Sequence, residues 1–164
     1  FIPSASAILP IIQSVRDRFI SKGIAVIYTR HINSSDNAKK MGTWWRDILE
    51  RENPFSQLVP GIILPDSVIV EKSQYDAFYQ TELEEYLIET GKKQLIISGV
   101  MTHLCCETTA RSAFLRGFDI YFGIDMTATY NRQLHRASLL TLSHGFAEPV
   151  LSGELFNRME KIER

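Results

Sequence analysis

The 164-residue chain predicts a single α/β domain: a three-layer, Rossmann-like, doubly wound fold with a mainly parallel sheet and helices on both faces. Two observations carry this prediction. Short, apolar, β-branched runs alternate with segments of helical periodicity along the whole chain. No repeat, low-complexity tract or linker interrupts the alternation, and the length suits one core.

Each element follows from local pattern. Ile8, Ile11, Ile12, Val15 and Phe19 recur at helical spacing, Pro10 is tolerable in a first turn, and Gly23 ends that helix. Residues 24–28 (IAVIY) form a buried parallel strand, and the polar stretch 30–40 is a loop. Residues 43–52 make a short helix stopped by Asn53-Pro54. Val68, Ile69 and Val70 form the next strand, with Lys72 just beyond its end. Thr81 and Glu84 have capping-box spacing, which starts a helix that runs to Gly91. Leu95, Ile96 and Ile97 make a further strand ending at Gly99-Val100, and a helix follows over 104–116. Residues 120–124 are a strand, 132–144 a helix, and 149–151 an edge strand before a last amphipathic helix.

Composition excludes several function classes. Eighteen basic against nineteen acidic residues leave a formal charge of −1, with no excess to neutralise nucleic-acid phosphates. No apolar run is long enough to span a membrane, and no segment has the form of a signal peptide. The two cysteines are adjacent, Cys105 and Cys106, so no disulfide framework is expected. A reduced, cytoplasmic protein acting on a small molecule is the expectation. The chain opens Phe-Ile-Pro rather than with Met, and residues 1–164 are read as one domain truncated at its N-terminus.

In open parallel sheets, ligands bind outside the carboxyl ends of the strands. Arg30, Lys72 and the segment 100–105 all follow strands and so share one rim. Cys105 alone reads equally well as a small buried hydrophobe. Its place in the first turn of a helix after a strand favours a thiolate and offers amides to a developing oxyanion. Cys106, about 100° further round, faces the core. Lys72 is either a solvated strand-end lysine or the charged partner of the thiol. The Tyr75, Ala77 and Phe78 that follow suggest an enclosed, aromatic-walled site.

The stretch GVMTHLCCETTARSAF, residues 99–114, resembles the nucleophile motif of the isochorismatase-like cysteine hydrolases, with Cys105 on the nucleophile. VEKSQYDAF, residues 70–78, is similar to that family's lysine motif, with Lys72 on the catalytic lysine. GFDIYFGIDMTA, residues 117–128, resembles the next strand, although Met126-Thr127 departs from the usual order. The resemblance spans nearly the whole chain. It implies a cis peptide between Val100 and Met101 that aims the Met101 and Cys105 amides at one oxyanion. It also implies a catalytic aspartate in a motif that Phe1 would close, which places that acid just upstream of this chain. A pseudoenzyme is the alternative.

Under the resemblance, Cys105 attacks an amide-type carbon and a thioester is hydrolysed by water. Vinyl-ether hydrolysis of isochorismate is the second reading. Isochorismatases of that type resemble this chain with a small or apolar residue at position 105, so the cysteine favours an amidase. A non-catalytic binding or oligomerisation module of the same fold remains a third. No cofactor is expected, and no metal, because TRHINSSD (residues 29–36) lacks the second histidine of the family's metal site. His135 and His144 are read as surface or core residues. Substrate contacts are expected among Arg30, His31, Trp44, Trp45, Tyr75 and Phe78, each of which also has a packing or solvent role as its alternative. The family commonly forms dimers or larger assemblies, so a homodimer or higher homo-oligomer is expected.

Overall fold

The computed structural model describes residues 2–162. Phe1, expected to close the aspartate motif, lies outside the described residues. Helix α1 (Ala5–Ser21) comes first. It starts earlier than the periodicity suggests, so Pro10 falls in its second turn rather than its first. The missing N–H leaves the carbonyl of Ser6 without its helical donor, and Ser6 is exposed to water, which can substitute. Gly23 has φ +70°, its amide bonds the Ile20 carbonyl, and the Ile24 amide bonds Phe19 at 2.9 Å. This is a Schellman closure. It uses Ile24 in the helix end, and strand β1 therefore starts three residues later than expected, as Ile27–His31.

The helix expected over 43–52 is instead the short α2 (Lys40–Trp44), and a 3₁₀ turn follows at Pro54–Ser56. Arg46 takes φ +62°, which no continuing right-handed helix allows. Strand β2 (Val68–Lys72) pairs in parallel with β1, Tyr28 against Ile69 and His31 against Lys72. Lys72 is thus the last residue of its strand. Helix α3 (Leu83–Glu89) follows. Thr81 Oγ1 accepts the Leu83 amide, but Glu84 turns to Arg116 at 2.9 Å instead of closing a capping box.

Strand β3 (Gln94–Val100) leads into a π turn (Thr102–Cys106), and α4 (Glu107–Leu115) continues from it. Strand β4 (Asp119–Ala128), α5 (Arg132–Gly145), β5 (Glu148–Val150) and α6 (Ser152–Ile162) complete the chain. The described strands pair as two parallel sets, β1-β2 and β3-β4-β5. Between the pairs Ile97–Phe122 and Gly99–Thr127, the one residue Ser98 of β3 faces four of β4, from Gly123 to Met126. A side chain at Gly123 would meet Met126 Cβ at 2.7 Å, so only glycine lets Met126 fold back over the bulge.

Alternation along β4, reset by the bulge before Thr127, divides the core. Ile120 and Phe122 point to one face, where they meet Leu87 of α3, Ala110 and Ala113 of α4, and Leu142 of α5. Met126 of β4 and Val150 of β5 meet Val15 and Phe19 of α1 and Leu155 of α6 on the other. Helices therefore cover both faces, as the alternating pattern predicts. Asp125 accepts the Ser152 amide and hydroxyl at 2.9 and 2.6 Å and so caps α6. Among the described residues no helix is long and apolar enough to cross a membrane.

Candidate active site

The ends of β2 and β3 bring two side chains together. Lys72 is only 5% exposed, because it ends a strand whose neighbours close over it. Its Nζ donates to the carbonyls of Gln74 at 2.7 Å and Tyr75 at 2.9 Å. Its third hydrogen bond goes to Cys105 Sγ at 3.3 Å. An ammonium spends all three donors here, two on fixed backbone and one on sulfur. It is a buried point charge aimed at a partly accessible thiol.

The segment after Lys72 is tied down by α4. Thr109, one helical turn beyond Cys105, accepts the Ala77 amide at 3.0 Å and donates to the Tyr75 carbonyl at 3.4 Å. Asp76 accepts the Phe78 amide and the Ser112 hydroxyl, at 2.8 and 2.6 Å. The Tyr75 carbonyl, one of the lysine's two backbone partners, is thereby held by the helix that follows the cysteine. Thr109, Asp76 and Ser112 were not anticipated. The i+4 spacing from Cys105 to Thr109 was the available signal.

Cys105 sits in the π turn rather than in a first α turn, with Leu104 and Cys106 amides both donating to the Met101 carbonyl, at 3.1 and 3.2 Å. The peptide between Val100 and Met101 is cis. Cys106 is 4% exposed, with its thiol toward the Ser98 carbonyl at 3.9 Å. Burial pushes that thiol far up from its ordinary value, and the neighbouring Cys105 adds to the shift. The two sulfurs have opposite surroundings.

His31 stands beside Lys72 in the strand register and donates from Nε2 to Asn33 Oδ1 at 2.8 Å. Asn33 in turn donates to the Ser73 carbonyl at 2.8 Å, which links His31 to the lysine segment. Burial lowers the His31 imidazole below its ordinary value; the Asn33 bond opposes this and the Lys72 charge adds to it. Arg30 points to the opposite face of the strand pair. Its guanidinium bonds the Ser56 carbonyl at 2.9 Å and pairs with Glu71 at 3.6 Å, so the structure does not bring it to the thiol.

The aromatic residues separate in the same way. Trp45 Nε1 donates to the Tyr75 hydroxyl at 2.6 Å, which places both rings beside the lysine segment. Trp44 is 76% exposed. Phe78 is buried against Phe118, ring centres 5.9 Å apart, and belongs to the core rather than to a pocket wall. A cleft of about 330 Å³ opens where β4 passes into α5, lined by Ser4, Thr129, Tyr130, Arg132 and His135 among others. Among the described residues no three His, Cys, Asp or Glu side chains converge to hold a metal ion. Nor does any described carboxylate form an ion pair with Lys72.

Comparison with known proteins bears on the fold and the family. The isochorismatase domain model matches residues 2–154. Nicotinamidase 3 of Arabidopsis thaliana is 42% identical over 129 residues, 76% of this chain and 65% of that protein. Enterobactin synthase component B of Escherichia coli is 31% identical over 157 residues, 93% of this chain and 55% of that protein. The chain thus spans less than two thirds of the length of either relative. A crystal structure of a cysteine hydrolase from Pseudomonas syringae superposes with a TM-score of 0.92 at 26% identity, covering 98% of this chain and 84% of that one. On the domain match and these relatives, the chain belongs to the isochorismatase family of hydrolases.

Proposed function

We propose that the protein is an amidohydrolase that opens a C–N bond of a small molecule through a thioester on Cys105. The observation that carries this reading is the buried Lys72 ammonium 3.3 Å from the Cys105 sulfur. A cation held against a sulfur stabilises the thiolate, which is the attacking form. Removing either partner's charge or sulfur should remove the reaction.

The sulfur adds to the carbonyl carbon, and the oxyanion that forms is received by the backbone amides of Met101 and Cys105. The C–N bond then breaks and the nitrogen leaves as ammonia or an amine, taking the thiol proton. Water adds to the thioester, releases the acid and returns the thiol. Tyr75 and Trp45 wall the substrate on the lysine side, and His31 faces the same space. The protein acts as a homodimer or higher homo-oligomer on a small molecule.

The cysteine distinguishes this reading from isochorismate hydrolysis, a vinyl-ether cleavage that needs no thiol nucleophile. The test is a substrate panel headed by nicotinamide, with simple amides and isochorismate, following ammonia against pyruvate. Ammonia release that vanishes in Cys105→Ala, with folding intact, supports the proposal. Pyruvate release, or full activity of Cys105→Ala, refutes it.

A further inference from the structure

The π turn that presents Cys105 is held from outside by two pairs of side chains whose order is reversed. Thr102, the turn's first residue, meets His135 of α5, Oγ1 to Nδ1 at 3.0 Å. His103, the next residue, meets Thr129 at the end of β4, Nδ1 to Oγ1 at 2.6 Å. The threonine is on the turn in one pair and off it in the other. Both pairs end on the same stretch of chain, the passage from β4 into α5.

The surroundings make these bonds hard to replace. Thr102 is fully buried and Thr129 is 3% exposed, so neither hydroxyl has water as an alternative partner. Both anchor points are fixed in turn. Asn131 accepts the Leu134 amide at 2.9 Å and so caps the helix that carries His135. Ser4 donates to the Thr129 carbonyl at 3.2 Å. Burial lowers both imidazoles, which keeps each Nδ1 free to pair with a hydroxyl at neutral pH. By contrast, among the described residues the only side-chain hydrogen bond of Cys105 is the one from Lys72. The sulfur's position therefore depends on how the turn is held.

We propose that His135 and His103, with Thr102 and Thr129, form a crossed latch that positions Cys105 against Lys72. Both histidines are positioning residues, acting through the turn and touching no reacting atom. This rests on the reading of Cys105 as the nucleophile. A displacement of about 1 Å at a reacting atom can cost roughly 100-fold in rate.

The test compares substitutions that differ only in where they put a polar atom. Asparagine carries its amide oxygen at the place of Nδ1, whereas glutamine carries it one bond further out. Wild type, His135→Asn, His135→Gln, His103→Asn and His103→Gln are assayed for the iodoacetamide alkylation rate of Cys105, for kcat and KM on an amide the wild type turns over, and for melting temperature. The glutamine variants should lose about 10- to 100-fold in alkylation rate and in kcat, with KM nearly unchanged. The asparagine variants should recover most of both. Equal rates in the asparagine and glutamine variants of a site overturn the latch, while a reactive wild-type thiol leaves the nucleophile reading standing. A wild-type Cys105 that reacts no faster than Cys106 overturns both.

Discussion

Replacing Lys72 with methionine tests the centre of the proposed chemistry, because it keeps most of the length of the side chain and removes the charge together with its three N–H donors. The ammonium makes three hydrogen bonds, to Gln74 O, Tyr75 O and Cys105 Sγ. For the fold, the losses and gains oppose each other. The Gln74 carbonyl loses its donor, while the Tyr75 carbonyl keeps the hydroxyl of Thr109, and an unpaired buried acceptor costs about 1–3 kcal/mol. Against this, methionine no longer requires a charge to be taken out of water, a penalty of several kcal/mol. Stability should therefore change little. For the reaction there is no compensation: a hydrogen bond to a charged group contributes about 1.5–3 kcal/mol. At about 1.36 kcal/mol for each factor of ten, that is roughly 10- to 150-fold in rate. Iodoacetamide alkylation of Cys105, followed by mass spectrometry of the labelled peptide, reads the effect without any substrate. Labelling of Lys72→Met at the wild-type rate would show that the ammonium does not act on the sulfur, and the proposed mechanism would fall with it.

Glu107 locks α4 to α5, accepting from Ser138 at 2.5 Å, Arg111 at 2.7 Å and Thr141 at 3.2 Å. Burial alone would raise its carboxyl, but the bonds from Ser138 and Arg111 outweigh burial and hold it below the usual range. Glu107→Gln should destabilise the fold by about 1–3 kcal/mol, seen as a melting temperature lower by about 2–4 °C for each kcal/mol; an unchanged melting temperature refutes the lock. Acid should weaken the protein through its histidines. His31, His103 and His135 all lie below the ordinary imidazole value when folded, mainly through burial. As pH falls through about 6.5 the unfolded chain binds protons first, so stability declines from there downward until the folded imidazoles also protonate. Melting temperatures at pH 7.5 and 5.5 should show the decline, and a flat profile would contradict the burial of these rings.

Much of this arrangement is legible in the sequence because it depends on periodicity. The alternation of β-branched runs and helical spacing gives the layers, and the strand-then-helix placement of Lys72 and Cys105 gives the rim. What the sequence hides is local closure. The Schellman end at Gly23 takes Ile24 out of the strand and moves β1 toward His31. That shift puts Arg30 and His31 on opposite faces, a distinction that adjacency in sequence cannot make without knowing the strand's first residue. The left-handed Arg46 ends the helix that apolar spacing would continue. His135 reads as an ordinary helix residue because its partner, Thr102, is 33 positions away, and no local pattern records such a pairing. Phe78 illustrates the opposite case: its motif neighbours suggest a pocket, yet large aromatics find the core first.

The four residues of β4 that face Ser98 have a mechanical consequence. Below them, β4 is clamped between β3 and β5; above them, it delivers Thr127, Ala128 and Thr129 toward the turn that bears the thiol. The spare length between these parts is folded into the core: Met126 is buried within it, and Thr127 Oγ1 donates to the Gly123 carbonyl at 2.8 Å across it. A core substitution that slides Ile120 or Phe122 along the sheet therefore pulls on the same stretch that leads to the thiol's rim. The packed base and the reactive edge of this sheet are coupled, with Gly123 as the joint between them.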